Sequence, residues 1–305
     1  MKKLFGICGP TASGKTEAAL RICERLGGEV VSADSMQLYE GMDILSAKPS
    51  PEELKRVRHH LIGIAGLNEK FNASRYKELA GQAVEDIFSR GCLPLLCGGT
   101  GMYIDALTRG IRMSEQADEG LRAELKAEAS VPGGMERLHD RLKTLDPVAA
   151  AKYPAQDTRR VIRSLEIYLL TGRTRTEIER EDAQIADDYE AHLYALDWDR
   201  QELYSRIDRR VDFMVEHGLI DEVAAIMREN ADIQETAAQA IGFKEIRSAL
   251  LNEIPMELAI ENVKTATRHL AKRQLTWFKR DRRVTWVRPE RADDIVYEIQ
   301  RELGL

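Results

Sequence analysis

"GPTASGKT" (Gly9–Thr16) is the stretch from which the fold is read. It fits the pattern G-x-x-x-x-G-K-[ST] without a mismatch. It follows "KLFGIC" (3–8), an apolar run of strand length. It opens "KTEAALRICERL" (15–26), a helical pattern stopped by Gly27–Gly28. A strand that breaks into a glycine-rich loop and continues as a helix turns backbone amides toward an anion at the helix N-terminus. Lys15 neutralises bound phosphates, and the Thr16 hydroxyl is positioned for Mg²⁺. Gly9, Pro10, Thr11, Ala12, Ser13, Gly14, Lys15 and Thr16 are therefore assigned to phosphate or diphosphate binding. The bland alternative is a glycine turn with a chance lysine.

The surrounding sequence extends this unit. "EVVSAD" (29–34) reads as a second strand ending in an acid, and "RGCLPLLCGGTGMY" (90–103) as a third that breaks into glycines. The helical "SRYKELAGQAVEDIFSR" precedes the latter. Strands alternating with helices indicate a parallel sheet covered by helices, an α/β fold. Ligands of such sheets bind at the carboxyl ends of the strands. Gly9–Thr16, Asp34 and Gly98–Gly101 should thus converge on one cleft. From residue 112 to 190 strand signals fade and charged helical sequence takes over, as in "DTRRVIRSLEIYLLTG". The chain accordingly divides into a core (1–111), an all-helical insertion (112–190) and a core continuation with basic C-terminal helices (191–305). The continuation begins with the strand-like "HLYALDW". In the helix after it, Leu203, Ile207, Val211 and Met214 form an apolar seam, and Arg206 and Arg210 share another face.

With 305 residues, 43% apolar and 31% charged, the chain has the composition of a globular protein with a sizeable core. No apolar run reaches membrane-spanning length, and no secretory leader is legible, so a cytoplasmic protein is expected. Cys8, Cys23, Cys92 and Cys97 have neither C-x-x-C spacing nor a neighbouring histidine, which reads as buried thiols in a reducing compartment. Net charge is −6, yet Lys264–Arg288 holds nine Lys or Arg against one acid, Asp281. A basic face on an acidic protein is expected.

ATP-hydrolysing proteins commonly hold Mg²⁺ through an acid at the end of an apolar strand. "CLPLLCGG" has none, which favours a transferase that only holds a phosphate group still. Asp34, at a strand end, could accept a proton from an incoming nucleophile, or serve as a cap or turn acid. Thr100 offers a hydroxyl between glycines, or marks a plain turn. The stretch "VKTATRHLAKRQLTWFKRDRR", with Arg268 and Lys272 one turn apart, suits a polyanion with stackable bases, or a solvated amphipathic helix.

Taken in order, "GPTASGKT", "SADSMQLY", "HHLIG", "GGTGMY", "DTRRVIRSLEIY", "QAIGFKE" and "AKRQLTWFKRD" resemble the tRNA dimethylallyltransferase family, of bacterial type. The resemblance spans Gly9 to Asp281. Gly63 departs from it, standing where the family usually has an acid. The resemblance implies a P-loop kinase-like α/β core with an inserted helical domain. It implies transfer of a dimethylallyl group from dimethylallyl diphosphate to N6 of the adenosine 3′ of the anticodon. Lys15, Thr16 with Mg²⁺, Arg206 and Arg210 would hold the leaving diphosphate, Asp34 would take the N6 proton, and Thr100 would touch the substrate. Asp34, Ser35, Met36 and Gln37 would meet the target nucleotide. Arg122 and Thr158, Arg159, Arg160, Val161, Ile162 and Arg163 would clamp the anticodon stem-loop. Gln239, Ala240, Ile241, Gly242, Phe243 and Lys244 would contact loop bases. A basic helix from Arg268 to Arg283, including Lys272 and Arg273, would lie along phosphates. The partners implied are tRNA and dimethylallyl diphosphate, with no membrane and a monomeric chain. The competing readings are an ATP-dependent small-molecule or nucleoside kinase, a prenyltransferase acting on free AMP, and a non-catalytic nucleotide-binding module.

Overall fold

The apolar run 3–8 becomes the central strand of a parallel sheet, which explains why it shows no polar alternation: it is covered on both faces. The structure is a computed structural model and describes residues 1–110, 118–229 and 233–305. In chain order the elements are β1 (Lys3–Cys8), α1 (Lys15–Leu26), β2 (Gly28–Ser32), α2 (Pro51–Arg56), β3 (His59–His60), α3 (Ala73–Ser89), β4 (Leu93–Cys97) and α4 (Gly101–Thr108). Then follow α5 (Glu119–Ser130), α6 (Gly134–Leu145), α7 (Pro147–Lys152), α8 (Thr158–Thr171) and α9 (Arg175–Asp182). The chain returns through β5 (Glu190–Leu196), α10 (Arg200–Glu216), α11 (Leu219–Glu229), α12 (Glu235–Ala238), α13 (Phe243–Leu250), α14 (Met256–Phe278), β6 (Val284–Val287) and α15 (Asp294–Leu303).

Two compact units result: residues 1–108 with 188–305, and residues 109–187. The helical stretch read as 112–190 overlaps the second unit, and its residues 112–117 lie outside the described ones. In the first unit six parallel strands lie in the order β3-β2-β4-β1-β5-β6. The register sets Phe5 beside Leu95 and His192, and Ile7 beside Cys97 and Tyr194. One face of the sheet packs on α1 and α15 through Ala19, Ile22, Ile295 and Ile299. On the other side Tyr76 of α3 stacks on Tyr103 of α4 at 4.1 Å and donates its hydroxyl to the Ser32 carbonyl. The second strand is shorter than its sequence pattern, ending at Ser32, so Asp34 stands two residues beyond it on a turn.

The seam on α10 is buried at Leu203, Ile207 and Val211, while Met214 is half-exposed. The basic stretch is not one helix. α14 stops at Phe278, and Arg283 folds inward to Asp281, Asp105 and the Thr108 hydroxyl.

The second unit closes its own small core from Leu125, Leu138, Leu142, Tyr153, Val161, Ile162 and Leu165. Caps fix its helix starts. Asp157 accepts from the Arg160 amide at the start of α8, and Asp146 accepts from Ala149 at the start of α7. The buried Asp146 also receives the Thr176 amide and hydroxyl, which ties α9 to α7.

Candidate active site

The loop Gly9–Gly14 joins β1 to α1, and its path requires a left-handed Gly14 (φ 95°), where a side chain would be strained. Ala12 also takes a positive φ of 61°, unusual for a residue with a Cβ. Residues far along the chain hold this shape. Trp198, just past β5, donates its indole N–H to the Ser13 carbonyl at 2.8 Å. Arg206 of α10 donates Nε–H to the Ala12 carbonyl at 2.9 Å, and its guanidinium lies 4.2 Å over the Trp198 ring. Gln274 of α14 accepts the Thr11 amide at 2.8 Å. Ala12 itself is buried against Leu203, Ile207 and Ala271.

These bonds draw loop carbonyls outward. The first amides of α1, which no intrahelical acceptor satisfies, are the groups left to meet an anion. Lys15 Nζ donates to the Pro10 carbonyl at 2.7 Å and so lies across the loop. The Ser13 Oγ is buried and has no hydrogen-bond partner among the described residues. A buried hydroxyl inside an anion-binding loop fits a phosphate oxygen as its missing acceptor.

Asp34 and Thr100 sit on two turns that are bonded together. The Ala33 amide donates to Cys97 O at 2.8 Å, and the Thr100 amide to Ala33 O at 3.0 Å. The Thr100 hydroxyl accepts the Ser35 amide at 3.0 Å. One Asp34 oxygen accepts the Met36 amide at 2.9 Å, which fixes the carboxylate while leaving its other oxygen available. Arg210 reaches in from α10, with Nη2 3.5 Å from the Ala47 carbonyl.

Burial lowers the pKa of Lys15, opposed by Cys97 and Asp34, with Arg210 acting in the same direction as burial. Burial likewise lowers Arg210, opposed by Asp34 and Glu53. Cys97, at the end of β4, has its thiol pushed up to about 11 by burial despite the pull of Lys15. It is a neutral neighbour rather than a nucleophile. The structure therefore brings Lys15, Asp34, Thr100 and Arg210 to one place. Arg206 braces the loop from behind.

The residues read as RNA contacts divide by exposure. Ser35 and Met36 are partly exposed, whereas the Gln37 side chain is engaged with Ser32 and the Ala47 carbonyl. In the 239–244 turn, Gln239 and Lys244 are exposed and Ile241 partly so. Ala240, Gly242 and Phe243 are buried, so the Ala240 and Phe243 side chains are unavailable to a ligand. On α14, Lys272 and Arg273 are exposed, while Arg268 is held by Asp208 of α10 at 2.7 Å.

In the second unit Thr158, Arg159 and Arg160 are exposed, but Val161 and Ile162 are core side chains at 0% and 4% exposure. Their expected RNA contact is corrected accordingly. Arg122 and Arg163 converge on one wholly buried carboxylate, Glu166, each at 2.9 Å. Gly63, the departure from the resemblance, has φ 58° and donates its amide to the Gln37 carbonyl.

Sequence reasoning missed Trp198, Gln274 and Glu166. Gln274 is an uncharged polar residue among the cations of "AKRQLTWFKRD", and Glu166 is the second acid, after Asp157, in "DTRRVIRSLEIY".

A family model described as IPP transferase matches residues 37–281, beginning after the phosphate loop. The chain is 43% identical over 294 residues to a tRNA dimethylallyltransferase of Geobacter sulfurreducens, covering 96% of this chain and 94% of that one. A relative of the same name from Halalkalibacterium halodurans is 45% identical over 287 residues, covering 93% and 90%. Among solved structures, a full-length tRNA isopentenylpyrophosphate transferase from Bacillus halodurans superposes with a TM-score of 0.74 at 41% identity, covering 100% of this chain and 97% of that one. A eukaryotic dimethylallyltransferase studied acting on tRNA superposes at 0.81 and 29% identity, over 95% of this chain and 74% of that one. With the family match over most of its length and relatives above 40% identity, this chain belongs to the IPP transferase family.

Proposed function

We propose that this chain transfers a dimethylallyl group from dimethylallyl diphosphate to N6 of the adenosine 3′-adjacent to the anticodon in tRNA, giving N6-dimethylallyladenosine and diphosphate. One observation carries the reading. The anion loop with Lys15 and Arg210 faces the Asp34 carboxylate, whose turn is bonded to the Thr100 turn. That arrangement suits a leaving group that only departs and an amine that must lose a proton.

The loop amides, Lys15 and the Ser13 hydroxyl would bind the diphosphate. Thr16 would hold Mg²⁺, whose charge offsets that of the diphosphate. No group of three or more acidic, His or Cys ligands occurs among the described residues. None is required, because Mg²⁺ is commonly held by one or two protein groups and phosphate oxygens. As the N6 lone pair attacks C1 of the dimethylallyl group, the C1–O bond breaks and its electron pair passes to the diphosphate. Lys15 and Arg210 stabilise that growing charge without having to move. Asp34 accepts the N6 proton through its uncapped oxygen. The target base must leave its stack to reach this site.

The exposed cations Lys244, Lys272, Arg273, Arg159 and Arg160, with Arg122 and Arg163, would contact the RNA. The chain would work as a monomer in the cytoplasm. The kinase reading has no support among the relatives. The test is prenylation of unmodified tRNA with dimethylallyl diphosphate and Mg²⁺ in the absence of ATP. Prenylated adenosine is expected, and an absolute ATP requirement would overturn the reading.

A further inference from the structure

We propose that Gln274 is a positioning residue that couples diphosphate binding to RNA binding. The proposal rests on the function proposed above, which gives the loop at Gly9–Thr16 the diphosphate and the turn at Thr100 the RNA. The Gln274 carboxamide bridges the two. Its oxygen accepts the Thr11 amide at 2.8 Å, and its nitrogen donates to the Gly99 carbonyl at 3.0 Å. Both bonds are to backbone, so they set the positions of the loops themselves.

The approach is close. A Cβ on Gly99 would lie 2.1 Å from Nε2 of Gln274. The helix carrying Gln274 is also fixed to the phosphate loop one turn earlier, where fully buried Ala271 packs with Ala12. Beyond Gly99, the Thr100 hydroxyl receives the Ser35 amide, so the tether continues into the turn bearing Asp34. The same helix presents Lys272 and Arg273 to solvent.

The chemistry explains why an amide is used. Thr11 needs an acceptor and Gly99 needs a donor, and a carboxamide offers both from two separate atoms on one side chain. A carboxylate would satisfy Thr11 and oppose the Gly99 carbonyl. An apolar isostere would satisfy neither. Each ligand that pins one loop therefore holds the shared side chain in place for the other. The second ligand then orders less structure on binding. Coupling of this kind is reciprocal, and a factor of about 5 to 10 is within its usual range.

The experiment is calorimetry on the full chain with inorganic pyrophosphate and Mg²⁺, and with unmodified tRNA transcript, each alone and in the presence of the other. In the wild type, each ligand should tighten the other by the same factor of about 5 to 10. In Gln274→Leu that factor should fall to about 1, while either ligand alone binds within a few-fold of wild type. Gln274→Glu, nearly isosteric, guards against a folding defect. It keeps the bond to Thr11, repels Gly99, and should also lose the coupling. The Michaelis constant for dimethylallyl diphosphate at saturating RNA should rise in both variants more than the turnover rate falls. Undiminished coupling in either folded variant overturns this proposal alone. Failure of the wild type to bind both pyrophosphate and tRNA overturns the proposed function with it.

Discussion

Removing the two arginines around Glu166 should cost more than the sum of removing each. Glu166 has 0% side-chain exposure, and its oxygens receive Arg122 and Arg163, which are 38% and 28% exposed. In Arg122→Met the aliphatic stem remains, Arg163 still pairs with the carboxylate, and water reaches the vacated rim. A hydrogen bond to a charged group contributes about 1.5 to 3 kcal/mol, and the low end applies at such an edge, so about 1.5 kcal/mol is expected. Arg163→Met should cost a similar amount. The double variant strands a buried carboxylate, a loss of about 3 to 5 kcal/mol in other proteins, and the upper figure is expected here because no ion-pairing cation remains on Glu166 among the described residues. The coupling is then about 2 kcal/mol. Adding Glu166→Met should restore most of the loss, since apolar replacement of a whole buried ion cluster is often neutral. Native-state hydrogen exchange at the α8 amides reads this unit locally in the full chain. At about 1.4 kcal/mol per tenfold, protection should fall roughly tenfold in each single variant and more than a thousandfold in the double. Strictly additive losses, or a triple variant no better than the double, would refute the reasoning.

Asp34→Asn keeps the acceptor for the Met36 amide, so the turn should survive while turnover falls about 10²-fold; single-turnover assays beside RNA binding would detect the opposite pattern. Ser13→Ala removes a buried hydroxyl with no partner among the described residues, so the free protein should gain up to about 1 kcal/mol in thermal unfolding while pyrophosphate affinity drops several-fold. Glu29, held near a pKa of about 2 by Arg90 and His60, contributes stability that is present above pH about 4.5 and lost as pH falls toward 2. An acid titration followed by circular dichroism should show Glu29→Gln unfolding at higher pH than the wild type. RNA affinity should weaken steeply with salt, with the log–log slope reduced by roughly 0.7 to 0.9 for Lys272→Ala and by clearly less for Arg268→Ala, which Asp208 already neutralises.

What could be read from sequence was what is contiguous. Gly9–Thr16 carries its own geometry because its glycines, Lys15 and the flanking strand and helix are neighbours along the chain. Asp34 was visible because the short strand-like stretch "EVVSAD" ends on it. The braces Trp198 and Gln274 were not, nor was the bracing role of Arg206, because all three bind backbone carbonyls and amides, which have no side-chain signature. Glu166 was not legible as a buried acid because Arg122, which closes over it, comes from another helix. The burial of Val161 and Ile162 is legible in their spacing with Leu165, although Arg159, Arg160 and Arg163 flank them. The end of α14 was hidden because Arg280, Arg282 and Arg283 continue its charge pattern past Phe278, where the chain in fact turns so that Asp281 can take Arg283.

The bracing of the phosphate loop has a consequence for how the protein is made. The loop leaves the ribosome ahead of its braces, since its contact from Trp198 lies 185 residues later and that from Gln274 lies 263 residues later. β1 itself waits for β5 to cover one of its edges. The helical unit at 109–187, closed by its own core, can fold during that interval. A nascent chain should therefore acquire its inserted unit first and its diphosphate cradle last. Premature termination anywhere before Gln274 would release a polypeptide with an exposed strand edge and no competent site, a species for quality-control proteases rather than a weak enzyme.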